Sequence, residues 1–352
     1  MLAPGFVNAH AHLDLGAARG LPAPAGGFLD WVGAVLEGRA SMGEAEVRAG
    51  VRASARRLLE TGTTTVIDVD AAGGVSGALG DLPLRVVALR EVLDGSPAGS
   101  NERTAQALVD ARGALSLAPT ERRASGLSPH GVHTVGDELL QQLGRLRGDA
   151  PIAVHWAETP EETLWMTEGS GPFSAWLGPS PMASGAERLE RAGMLEGVML
   201  VHGNCPARGE AAALAGRGVT VVHCPGSHLY FGRAPFEAAG FMGAGVPLAL
   251  GTDSWASNDD LDMRREVRLA REELGMSGPE AWRMATEAGA RHVPWPHVSG
   301  RLGVGDAADL QRLRPVPGGA ELAGDPEGLL DELTRREPDV VSVWIHGERV
   351  HG

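Results

Sequence analysis

The chain has 352 residues, of which 43% are apolar, 4% aromatic and 22% charged, enough to bury the core of one large folded unit with a small appendage. Acidic residues exceed basic ones by 45 to 31, a formal charge of −14. That surface repels phosphate backbones, which excludes sequence-independent nucleic-acid binding. The two cysteines, Cys205 and Cys224, build no disulfide framework and fit a reducing compartment. No run of about 18 uncharged apolar residues marks a membrane span. A soluble cytoplasmic protein without membrane partners is expected.

Eight apolar, β-branched runs succeed one another at residues 3–12, 63–70, 84–93, 126–130, 151–158, 198–203, 219–224 and 247–253. Several, such as VMLVH and VTVVH, are nearly continuous, as suits parallel strands covered on both faces. Helical patterns lie between them at 44–59, 103–115, 137–146, 186–192 and 208–215. In the first, Val47, Val51, Ala55, Leu58 and Leu59 share a stripe and Gly62 ends it. Strand and helix alternating in this way predict an α/β chain folded as a (β/α)₈ barrel rather than two doubly wound halves. Helical patterns at 262–274 and 279–290 follow. Then GRLGVGDAADLQRL and VVSVWIHGERV read as fragments of a small sheet. The expected division is a barrel over 1–305 and a small unit over 306–352. Because the first strand starts almost at Met1, no leading segment is expected to pair with that sheet.

Chemistry in such a barrel sits at the C-terminal ends of the strands, and there the histidines fall. His10 and His12 end the first strand, His130 the fourth, His155 the fifth, His202 the sixth and His223 the seventh, while Asp253 ends the eighth. A single histidine at a strand end is commonly a hydrogen-bonded structural residue. Residues i and i+2 of a strand, however, point to one face, so His10 and His12 are placed to share a cation. With His155 and Asp253 at matching heights they form a set of three nitrogens and one carboxylate, suited to zinc or ferrous iron. Glu158, three residues past His155, reaches the space above such a cation and could shuttle protons. The alternative is an acid stabilised by a helix N-terminus.

In order along the chain, PGFVNAHAHLDL, SPHGVHTV, HWAET, VHGN, HCPGSH and LGTDS resemble the amidohydrolase superfamily, in its mononuclear deaminase and chlorohydrolase branch, over roughly residues 3–313. The resemblance implies that His10, His12, His155 and Asp253 are metal ligands and that Glu158 transfers protons. It also implies that His202 polarises the water or substrate, and that Asp253 accepts the water proton. Binuclear relatives bridge two metals with a carboxylated lysine. This chain contains no lysine, so one divalent cation is expected, zinc first and ferrous iron second.

Within that branch, GLPAPAGGFLDWVGAVLEGR and TEGSGPFSAWLG resemble the aminodeoxyfutalosine deaminases, which implies a purine nucleoside substrate, a menaquinone precursor. Phe28 and Trp31 either line its pocket or pack a lid helix into the core. His130 matches a substrate-contacting position. His133 replaces the usual tyrosine or phenylalanine, and CPGSH places Gly226 and His228 where CPRSN is common. Deaminases of adenosine, S-adenosylhomocysteine or methylthioadenosine are alternatives, as are triazine hydrolases and a noncatalytic binding protein on an inherited barrel. Cys205 and Cys224 read as small buried residues, and ASNDDLD as a polar turn with a helix cap. Family members also carry a longer leading segment that forms half of a small β-sandwich. Residues 306–352 are therefore expected to be its remnant, with an exposed edge. A misassigned start codon, an excised segment or burial in a homodimer would each account for that.

Overall fold

A computed structural model describes residues 1–20, 27–317 and 324–352. Its strands are β1 (Leu2–Pro4), β2 (Phe6–Ala11), β3 (Thr63–Asp70), β4 (Arg85–Val92), β5 (Arg123–Pro129), β6 (Ala153–Trp156), β7 (Met199–His202), β8 (Thr220–His223), β9 (Leu248–Leu250), β10 (Leu310–Leu313), β11 (Val340–Ile345) and β12 (Glu348–His351). Strands β2 to β5 pair in parallel, as do β6 to β9. Parallel bridges Leu127↔Ile152 and Gly131↔His155 join the two halves on one side, and Ala11↔Asp253 on the other. The ring is therefore closed as a (β/α)₈ barrel.

Adjacent residues of the strands divide between two cores, as the two-residue period requires. Ala9, Ile67, Val87, Met199, Val201, Val222 and Ala249 fill the barrel interior. Their neighbours Val66, Val86, Leu200, Val221 and Leu248 pack outward against the helices. Both faces of each strand are thus dry, which is why the runs read as continuous apolar sequence.

The expected first strand, 3–12, is two strands. Leu2–Pro4 pairs antiparallel with β10 in a second sheet of order β1-β10-β11-β12, and only Phe6–Ala11 enters the barrel. The leading residues therefore do supply the small sheet with a partner. Gly5 is the junction. A side chain there would stand 2.2 Å from the Thr64 side chain, and the Gly5 amide donates to the Asp309 carbonyl at 3.0 Å. The helix expected over 279–290 is also two, Gly278–Met284 and Glu287–Ala290. Between them Thr286 leaves helical geometry and its hydroxyl donates to the Trp282 carbonyl at 2.8 Å. Strand β5 begins earlier than its apolar run, because Arg123 pairs with Val86 of β4, while its side chain donates to the Leu82 carbonyl in the turn before β4 at 2.8 Å. No helix among the described residues is long and apolar enough to cross a membrane.

Candidate metal centre and active-site pocket

The strand ends bring together imidazoles that are far apart in sequence. The His10 and His12 rings stand 4.8 Å apart, His12 and His155 5.3 Å, and His155 and His202 5.5 Å. Asp253 Oδ1 lies 3.6 Å from His10 Nε2 and 3.8 Å from His12 Nε2. Ligand atoms of His10, His12 and Asp253 lie within 4.8 Å of one another, as do those of His10, His155 and His202. Thus all four residues expected as ligands converge, with His202 beside them.

Two details fit a cation in that space. His155 Nδ1 faces the His130 carbonyl at 2.5 Å. A carbonyl only accepts, so Nδ1 carries the hydrogen and the Nε2 lone pair is turned toward His12 Nε2, 3.2 Å away. His10 Nε2 is buried without a hydrogen-bond partner, a costly arrangement unless something else takes its lone pair. Burial, reinforced by the neighbouring His10, lowers the His155 pKa to about 4, and burial also drives those of His12 and His202 well down. Neutral imidazoles are what metal ligation requires. Burial alone would raise the Asp253 carboxyl, but the close imidazoles of His10, His202 and His12 hold it well below the usual range.

The backbone is bent to aim these groups. His202, Asp253 and the residue before Glu158, Ala157, all adopt positive φ, at 76°, 58° and 49°, a region costly for residues other than glycine. Asn8 locks the first and last barrel strands together. Its side chain donates to Thr252 Oγ1 at 2.7 Å and accepts from the Thr252 amide at 3.1 Å. Ser227 and Ser257 donate to Asp253 Oδ2 at 2.7 and 2.9 Å, leaving Oδ1 toward the histidines.

Glu158 Oε2 lies 3.7 Å from His202 Nε2, and Oε1 lies 3.3 Å from Arg233 Nη2. Burial raises its pKa to about 8, against the pull of Arg233 and with a further push from Asp253 and Glu162. It does not cap the following helix. Thr159 accepts from the Glu162 amide at 3.0 Å, while the Glu162 carboxylate accepts from the Ala157 and Glu158 amides. The Glu158 side chain is consequently free of capping duty and turned toward the histidines.

Above this cluster is a cavity of about 260 Å³ whose lining includes His12, His130, His155, Glu158, His202, Asp253, Phe28, Trp31, Glu91 and Trp176. Phe28 and Trp31 belong to the helix Phe28–Ser41, and their rings meet each other at 5.8 Å and Phe231 at 5.6 and 5.1 Å. Phe28 and Trp31 line the cavity and also pack onto buried cores. The LPAPAG stretch before that helix lies outside the described residues. His130 is held by Thr134 Oγ1 at 2.7 Å. His133 lines the cavity and stands 3.5 Å from Glu162.

Some strand-end residues stay apart from the cluster. His223 stacks on Phe236 with centroids 4.0 Å apart. Cys224 is buried and Cys205 half-buried; neither belongs to a metal-capable group among the described residues. ASNDDLD is a turn whose Asp262 caps Met263–Leu274. The departures from CPRSN also have causes. A side chain at Gly226 would meet Asn258 at 2.4 Å and Arg265 at 2.6 Å. His228 Nε2 donates to the Ala234 carbonyl at 2.8 Å, and its Nδ1 stands 3.0 Å from Asn204 Oδ1. Sequence reasoning missed Asn8, Ser227, Ser257, Glu91, Glu162 and Arg233. The available signal was that Asn8, Ser227 and Ser257 sit inside NAHAH, CPGSH and ASNDDLD.

A profile of the amidohydrolase family matches residues 1–350. The chain belongs to the amidohydrolase family. It is 32% identical over 336 residues to a 5-methylthioadenosine/S-adenosylhomocysteine deaminase of Halobacterium salinarum, covering 88% of this chain and 72% of that protein. To an aminodeoxyfutalosine deaminase of Deinococcus radiodurans it is 31% identical over 314 residues, covering 83% and 73%. Against other curated relatives the chain spans as little as 59% of their length. An adenosine deaminase of Xanthomonas campestris, solved with bound zinc, superposes with a TM-score of 0.80 at 27% identity, covering 99% of this chain and 80% of that one.

Proposed function

We propose that this amidohydrolase hydrolyses the exocyclic C–N bond of a 6-aminopurine nucleoside, with His10, His12, His155 and Asp253 holding one divalent cation. Zinc is the first choice and ferrous iron the second. The observation that carries the reading is the meeting of this ligand set with a buried Glu158 at the floor of one cavity. A cation bound there supplies an acidified water and positive charge beside the reacting carbon.

The chain's own residues account for the rest. Glu158, protonated at neutral pH, gives its proton to N1 of the purine as water adds at C6. His202, neutral and 3.7 Å from Glu158, donates a hydrogen bond to the oxygen being added. Asp253 Oδ1 accepts a proton from the water, while Ser227 and Ser257 occupy its other oxygen. Asp253 then passes its proton to the departing ammonia while ionised Glu158 takes the proton of the C6 hydroxyl as the carbonyl forms, so both carboxyl groups end as they began. Phe28 and Trp31 offer aromatic faces, and His130 a ring nitrogen, to the nucleoside.

Aminodeoxyfutalosine is the first proposed substrate, because its group shares the aromatic lead-in to helix Phe28–Ser41 and includes the Deinococcus relative. The product would serve menaquinone synthesis. Methylthioadenosine and S-adenosylhomocysteine come second, favoured by the Halobacterium relative. The test is a panel of these nucleosides with adenosine, followed by ammonia release and the ultraviolet shift to a hypoxanthine product. Glu158→Gln should keep the metal and lose about 10²–10⁴-fold in turnover. Near-normal turnover in that variant would overturn the role of Glu158, and no deamination of any aminopurine would overturn the reaction.

A further inference from the structure

Arg233 follows Gly232 in the loop after β8 and has no part in the chemistry derived above. Its side chain is 8% exposed, so its charge is almost wholly removed from water and needs a partner. The partner is Glu158, whose Oε1 lies 3.3 Å from Nη2. On the other side the guanidinium lies 4.8 Å over the Phe231 ring and 5.4 Å over Phe28, within cation–π range. The arginine is therefore clamped between the carboxyl at the cavity floor and the aromatic cluster that carries helix Phe28–Ser41.

We propose that Arg233 is a positioning residue for Glu158, fixing Oε1 as a hydrogen-bond acceptor so that the proton of the neutral carboxyl resides on Oε2, the oxygen nearer His202. The inference follows from donor chemistry. A guanidinium has only donors, so the oxygen facing it is the bare one. A carboxyl free to rotate would present its proton to the reaction centre only part of the time, and misplacement of a catalytic group is expensive. The same loop is braced from behind. His228 Nε2 donates to the Ala234 carbonyl, next to Arg233, and its ring lies against Asn204, whose Nδ2 donates to the Glu158 carbonyl at 3.1 Å. One chain of contacts thus holds the arginine and the glutamate in register, and His228, which departs from CPRSN, is a link in it. Through Phe28, the seating of the cavity's aromatic helix reaches the proton donor as well.

The proposal rests on Glu158 being the proton donor, so both are tested together on zinc-loaded protein. The charged or titratable groups around Glu158 are Arg233, His202 from β7, Asp253 after β9, Glu162 from its own following helix, and the thiols of Cys205 and Cys224. Arg233→Met should lower kcat about 10- to 100-fold while KM stays within about twofold, because the arginine orients and does not bind. It should also move the alkaline limb of the pH–rate profile upward by about one unit, since a positive neighbour is lost. Arg233→Lys, which keeps the charge, should restore most of that limb. Infrared difference titration gives a readout independent of turnover: the protonated-carboxyl band that vanishes in Glu158→Gln should titrate at higher pH in Arg233→Met. An unmoved band, or unchanged kcat in Arg233→Met beside an inactive Glu158→Gln, overturns the role of Arg233. Full activity in Glu158→Gln would instead overturn the assignment beneath it.

Discussion

The two ends of the barrel treat buried charge in opposite ways. At the N-terminal end, Arg85 is fully buried and fully satisfied. Its guanidinium meets Asp309 through Nε at 2.7 Å and Nη2 at 3.3 Å, and Nη1 meets the Glu121 carbonyl. Asp309 in turn accepts from the His346 amide at 2.7 Å, tying the small sheet to β4. At the C-terminal end, His10 Nε2 is buried without a partner, imidazole nitrogens face each other, and His202 and Asp253 sit in left-handed backbone. The first end pairs its buried charge within the fold. The second leaves buried nitrogens that fit the proposed cation.

That contrast is broken most sharply by changing each end alone. His12→Ala should lose bound metal and more than about 10³-fold in turnover while the thermal midpoint of the metal-free protein hardly moves; metal analysis beside a melting curve checks both. Asp309→Ala should do the reverse. It strands the Arg85 charge in the interior and should cost about 3–5 kcal/mol of stability, measured by denaturant titration, with kcat per folded molecule unchanged. Ser227→Ala, which removes one of the two hydrogen bonds to Asp253 Oδ2, should weaken metal affinity about 10- to 100-fold in a competition titration. The gentlest probe is pH. Burial holds the Glu158 acid form up to about pH 8, and the acid form is the proposed donor. Turnover should therefore stay level up to that point and fall about tenfold per unit above it. A rate that rises through pH 8 would contradict the sign.

Much of the active end is legible along the chain because it depends on local geometry. His10 and His12 are two apart on a strand, and His130, His155, His202 and Asp253 each terminate an apolar run, so the closure of the barrel brings them to one rim. The absence of lysine, visible in composition alone, bears on the metal count. What stays hidden depends on contacts across the fold. Nothing in an unbroken apolar run reveals that Gly5 hands the chain from one sheet to another, since the reason is Thr64, on a different strand. Arg233 and Glu158 are 75 residues apart, and no period links them. Gly226 reads as a lost arginine, whereas Asn258 and Arg265 already fill the space a side chain would need.

The decisive measurement is an anomalous difference map at the zinc edge from crystals of the zinc-loaded protein. A single peak should appear, within about 2.0–2.2 Å of nitrogens from His10, His12 and His155 and of Asp253 Oδ1. Two peaks, or one bound by His202 in place of His12, would contradict the account.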